Sequence, residues 1–228
     1  MTEAGSRAAD TRAAEARAID ARAIEARAAG LWLAAQQEIA RRSAHEVKNA
    51  LNGAVVNLEV VRARLARPGA PAEAATGFAE TAASQFERVT AYVEALINLA
   101  RPAHEPADVA AVLRSLHPLL EAAATAHDIQ LSVTTFEPGA RATSTDAQVT
   151  RLVLVAALLA ATGRGAHSAE CHAALDEEAC PAVVVVRVAR DGMPPPLDDA
   201  VAAVAAEAGV RIAPAPDAIT LTFPAAAG

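Results

Sequence analysis

The stretch His45-Glu46-Val47-Lys48-Asn49-Ala50-Leu51-Asn52-Gly53 holds the side chains best suited to chemistry. An imidazole offers a neutral nitrogen as a nucleophile near cellular pH. Glu46 can hold the proton on the other ring nitrogen and so raise the basicity of the first. Asn49, one helical turn on, can position a water or a phosphoryl oxygen through its amide. These are the requirements of a group passed through histidine. Zinc binding fits less well, because His45-Glu46 lacks the second histidine at i+4 that a helical zinc motif uses.

The element carrying these residues reads as a long amphipathic helix from Leu31 to about Ala66. Val47, Leu51, Ala54, Leu58, Val61 and Leu65 recur at three- and four-residue spacing and share one direction on the helix. At 3.6 residues per turn, His45 lies about 150° from that direction. Asn49 and Asn52 fall beside it, and Val56 follows further along. A histidine serving the core would sit on the opposite face.

Pro68, Gly69 and Pro71 break the chain, and a second helix follows from about Ala72 to Leu99, closed by Arg101-Pro102. Two long helices joined by a short turn form an antiparallel hairpin. A hairpin cannot cover its own apolar face, so pairing with a second copy into a four-helix bundle is expected. Residues 1–30 form an N-terminal extension built on a five-residue repeat, with Arg7, Arg12, Arg17, Arg22 and Arg27 each followed by Ala. Five matches neither the 3.5 nor the 3.6 repeat, so no continuous apolar stripe is expected there, and Gly30 is expected to interrupt it. The hairpin domain thus spans 31–101. Residues 102–107 read as a linker.

Residues 108–228 alternate helix and strand. Helices are expected over 108–126 (with Asp108 as a cap), 146–162 and 197–208. Strands are expected over 129–136, 171–175, 182–189, 210–213 and 218–223. This is an α/β sandwich layer. Cys171 and Cys180 flank a hairpin turn and read as structural or free thiols, and Gly163-Arg164-Gly165 reads as a helix stop.

The composition narrows the function classes. The 228 residues include 64 alanines, and aromatics are only 3%, so the core must be light and its helices closely packed. The net charge of −7 argues against nucleic acid as a partner. Two cysteines suit a reducing compartment. No stretch has the length and apolarity of a membrane span, and arginines run through the N-terminus where a signal peptide would be apolar. The expected location is the cytoplasm.

Ser43–Leu51 resembles the phosphoacceptor box of two-component histidine kinases, whose pattern is His-Glu/Asp-apolar-Arg/Lys-Asn/Thr-Pro-Leu. His45, Glu46, Val47, Lys48, Asn49 and Leu51 meet it, while Ala50 replaces the usual proline. The resemblance implies a dimeric four-helix bundle, His45 as phosphoacceptor, Glu46 as acid/base, and Asn49 as the residue used in phosphatase turnover. The order of elements after residue 108 is similar to that family's ATP-binding domain. The nucleotide motifs are eroded, however. The helix over 146–162 contains no asparagine, and Val155, Ala156, Leu159 and Ala160 take the candidate positions. The next box survives only as Asp191-Gly192, followed by Met193-Pro194-Pro195-Pro196, and no glycine stands between Pro196 and Ala208.

A triphosphate needs a cation, and the cation needs oxygen or amide ligands, so neither ATP nor Mg²⁺ is expected to bind, and no metal site is expected elsewhere. The expected function is a histidine phosphotransfer protein of a phosphorelay. It would exchange phosphate between His45 and the aspartate of a response-regulator receiver domain. Arg41, Arg42, Lys48, Asn52 and Val56 are the expected partner-binding residues. The alternatives are a non-catalytic regulator-binding module, a phosphatase using Asn49, and an active kinase with an unusual nucleotide site.

Overall fold

The computed structural model describes residues 3–69, 71–101, 107–134, 143–163, 165–176, 179 and 183–226, with side chains before Arg22 and those of Ile24 and Glu25 left aside. The linker before Ala107, the end of the strand at Phe136, Arg164 of the helix stop and Cys180 of the expected hairpin lie outside these residues.

Helix α1 runs unbroken from Glu3 to Leu65, 63 residues and about 95 Å at 1.5 Å per residue. The expected interruption at Gly30 does not occur. One glycine costs a helix about 1 kcal/mol relative to alanine, which the surrounding alanines and arginines outweigh. After a turn through Gly69, whose φ of 74° lies in the left-handed region, α2 runs back over Glu73–Ala100. Arg64 closes this end, its guanidinium 4.8 Å from the centre of the Phe78 ring.

The inside of the hairpin is made of small residues. Ala50 and Ala54 on α1, and Ala75 and Ala82 on α2, are buried, and Gly53 faces the Gln85 side chain. Of the apolar stripe on α1, only Ala54 is buried within the single chain. Leu51, Leu58 and Leu65 are about half exposed, as are Val55, Phe86, Val93 and Ile97. Alanines let the backbones approach closely, so the larger apolar side chains are left on the outside of the single chain.

The second layer comprises α3 (Val109–Thr125), β1 (Gln130–Thr134), α4 (Ala147–Ala161), β2 (Ser168–Asp176), β3 (Val183–Arg190), α5 (Asp199–Glu207), β4 (Arg211–Pro214) and β5 (Ala218–Pro224). Asp108, Asp146 and Asp198 cap the three helices by accepting from backbone N–H groups of the first turn. The sheet order is β1-β2-β3-β5-β4, with β1 and β2 parallel and every other pair antiparallel. Along β3, Val184, Val186 and Val188 are fully buried while Arg187 is exposed. This alternation marks a sheet covered on one face.

Helix α4 is apolar almost all round, and Leu152, Val153, Leu154, Val155 and Leu158 are all fully buried. A helix of that kind needs cover on several sides. The sheet supplies one side through β3 and β5, and α1 supplies another. Helices α3 and α5 also pack against α1, which buries Trp32, Ile39 and Ser43. The α/β layer is therefore docked along the N-terminal half of the hairpin.

Candidate functional site

His45 stands on the exposed side of α1, with 72% of its side chain accessible. The stretch before it faces the other way, because Ile39 and Ser43 point into the packed layer. Lys48, Asn49, Asn52 and Val56 continue the exposed strip toward the hairpin turn.

Two side chains converge at the ring. Asn49 Nδ2 lies 2.9 Å from His45 Nδ1, Glu46 Oε1 lies 3.3 Å from the same nitrogen, and Asn49 Nδ2 donates to Glu46 Oε1 at 3.3 Å. A carboxylate only accepts, so its contact with Asn49 fixes which end of the amide faces the pair. Glu46 is itself mostly covered, 15% exposed at the side chain. The engaged nitrogen is thus Nδ1, and Nε2 lies on the far side of the ring. Such a site can present Nε2 to an electrophile while managing the proton at Nδ1.

The arginines before the histidine diverge, although both bind Glu38. Arg41 donates to it through Nε at 2.9 Å and Nη2 at 2.7 Å from an exposed position. Arg42 donates to it through Nε at 2.7 Å, and its Nη1 reaches the Leu159 carbonyl at the end of α4 at 3.1 Å. The hydrogen bonds from Arg41 first, and then the one from Arg42, hold the Glu38 carboxyl at about 2. Arg42 is therefore committed within the chain, while Arg41 stays near solvent. Glu38 was not singled out from the sequence, although acid followed by arginine at i+3 and i+4 is a readable helical pairing. Its role as the anchor of a link between two layers depends on a backbone carbonyl 117 residues away and has no sequence signal.

Asp191 and Gly192 follow β3. The Asp191 carboxylate accepts from the backbone N–H of His167 at 2.8 Å and of Ser168 at 3.1 Å. Those hydrogen bonds, Ser168 first, stabilise the ionised form and hold its pKa below the usual carboxylate range. Gly192 has a φ of 87°, which favours glycine. The pair thus ties the exit of β3 to the entry of β2. Beside it, Met193, Pro194, Leu197, Ile212, Pro214 and Ile219 line an apolar cavity of about 500 Å³. On α4, Val155 is fully buried and Leu159 nearly so. The lining of this cavity and the buried face of α4 are thus apolar. Among the described residues, no cluster of three or more His, Cys, Asp or Glu side chains could hold a metal ion. Cys171 is buried, and desolvation pushes its thiol up to about 12, which leaves it unreactive.

No family model matches this chain, and no curated protein does. Its neighbours among solved structures are histidine kinases and a bacterial phosphotransferase. The phosphotransferase is 15% identical, with 84% of this chain and 96% of that one covered and a TM-score of 0.38. The Acinetobacter baumannii histidine kinase AdeS is 13% identical over 78% of this chain and 95% of its own, with a TM-score of 0.39. A histidine kinase from Burkholderia phymatum is 20% identical over 83% and 98%, with a TM-score of 0.34. Likenesses this distant carry no functional argument, which rests on the residues around His45. No helix among the described residues is long and apolar enough to cross a membrane.

Proposed function

We propose that the chain is a histidine phosphotransfer protein that exchanges a phosphoryl group between His45 and the aspartate of a response-regulator receiver domain. The observation that supports this most is an exposed imidazole with Nδ1 engaged by Glu46 and Asn49 and Nε2 turned away from both. In the forward step the Nε2 lone pair forms a bond to phosphorus. The bond between phosphorus and the aspartyl oxygen breaks, and the carboxylate leaves with that electron pair. The ring becomes cationic, and Glu46 stabilises the proton on Nδ1. The reverse step returns the phosphoryl group to an aspartate. The exposed strip of Lys48, Asn52 and Val56 beside the histidine suits a receiver surface, and Lys48 supplies a positive charge for the phosphoryl oxygens.

The same reading gives the half-exposed leucines of α1 and the Phe86, Val93 and Ile97 side chains of α2 a second copy of the chain to pack against, making the four-helix bundle. It gives the α/β layer no nucleotide. The packed apolar face of α4 and the use of Asp191 on backbone amides support phosphotransfer without ATP.

A second reading, hydrolysis of the receiver's phosphoaspartate, draws on the exposed Asn49 amide, which could orient a water. Substitution separates the two. With a phosphorylated receiver, His45→Ala should abolish appearance of label on the chain. Asn49→Ala should leave that label in place. If His45→Ala still clears the phosphoaspartate at the wild-type rate and Asn49→Ala does not, the chain is a phosphatase instead.

A further inference from the structure

The contacts at Nδ1 cannot all be made at once. When Nδ1 carries the proton, it donates to Glu46, and the Asn49 amide at 2.9 Å has no acceptor there. When Nδ1 is bare, it accepts from Asn49, and its 3.3 Å approach to the Glu46 carboxylate sets two lone pairs together. In a neutral imidazole the proton sits on one nitrogen or the other, so this competition decides the state of Nε2. Glu46 favours the form with a lone pair on Nε2, and Asn49 favours the form with a proton there.

The geometry points to Asn49 as a positioning residue that holds free His45 in the tautomer protonated at Nε2, which cannot attack. Two observations favour Asn49 in this contest. Its contact is the shorter one, and reversing the amide to relieve the conflict would set Asn49 Oδ1 against Glu46 Oε1, where Nδ2 now donates. Glu46 is left to take the Nδ1 proton once Asn49 is drawn away, as by a docking partner that accepts from its amide. The restraint is a property of the isolated chain. Only its consequence, slower attack by Nε2, rests on the phosphotransfer reading.

The test is nitrogen-15 NMR of the histidine-labelled full chain at alkaline pH, about 8.5. The wild-type His45 Nδ1 resonance should lie toward the unprotonated position and Nε2 toward the protonated one. Asn49→Ala removes the donor and should move the ratio toward the Nδ1–H form by about three- to tenfold, the effect of one net hydrogen bond. Asn49→Asp, an isosteric acceptor, should move it at least as far. A simple loss of packing would not produce that order. Glu46→Gln should move it the opposite way. A wild-type ring already protonated at Nδ1, or a ratio unchanged by both Asn49 variants, overturns the inference. Either result leaves the phosphotransfer test above unaffected, because no phosphoryl donor is present.

Discussion

Arg42 and Arg41 are adjacent and chemically identical, yet their substitution should have very different effects. The Arg42 side chain is 16% exposed and bridges Glu38 to the Leu159 carbonyl, whereas the Arg41 side chain is 68% exposed and binds Glu38 alone. Removing Arg42 deletes a charged hydrogen bond to a backbone carbonyl at the end of α4, an interaction of about 1.5–3 kcal/mol. Glu38 retains Arg41, so no charge is left unpaired, and about 2 kcal/mol is the expected loss for Arg42→Ala. In a chain of this size that lowers Tm by about 4–8 °C. Arg41→Ala breaks two hydrogen bonds, but in water, and should cost much less than Arg42→Ala. Arg41 is the larger influence on the acidity of Glu38. Arg42 still matters more for stability because its bond to the Leu159 carbonyl lies outside the Glu38 pairing, while the Arg41 pairing is screened by water. Urea unfolding of the two variants, followed by circular dichroism, measures the contrast. Equal losses, or an Arg42→Ala loss under about 0.5 kcal/mol, would refute the link between the layers.

Glu38, depressed from 4.5 to about 2, stabilises the fold fully above about pH 4.5 and loses that contribution as pH falls toward 2. Wild type should therefore exceed Glu38→Gln by about 1 kcal/mol at neutral pH, a figure discounted for solvent, and the difference should vanish in acid. A difference that grows on acidification would contradict the assignment. Leu51→Ser with Leu58→Ser should convert a dimer to a folded monomer in sedimentation, because each leucine gives up about 1 kcal/mol of burial per chain. A wild-type chain that sediments as a monomer would leave that face without its proposed partner.

Much of this architecture can be read from the residues. Proline and glycine at 68–71 mark the hairpin turn, and the alternation of β3 marks a half-covered sheet. The continuous apolarity of α4 marks a helix covered on several sides. What covers its second side is α1, more than 100 residues earlier in the chain, and no local pattern encodes that contact. The spacing of large apolar residues on α1 marks a face that the hairpin by itself leaves half exposed, not the seam between its two helices. Periodicity weighs Leu51 and Leu58 above Ala50, but close approach of two helices selects the alanine. Gly30 shows a similar limit, since a penalty of about 1 kcal/mol is local and the helix around it is long. The histidine box was legible because its geometry is that of one helix, where spacing fixes the neighbours. The engagement of Nδ1 by Asn49 as well as Glu46 depends on rotamers and was not.

The most direct test of the central claim is phosphorus-31 NMR of the chain, with mass spectrometry to place the phosphoryl group. One sample contains a phosphorylated receiver domain, and another contains ATP with Mg²⁺ and no receiver. Phosphohistidine at His45 in the first sample and none in the second is the predicted result. Phosphohistidine formed from ATP alone, or a phosphorylated receiver that transfers nothing to His45, would contradict it.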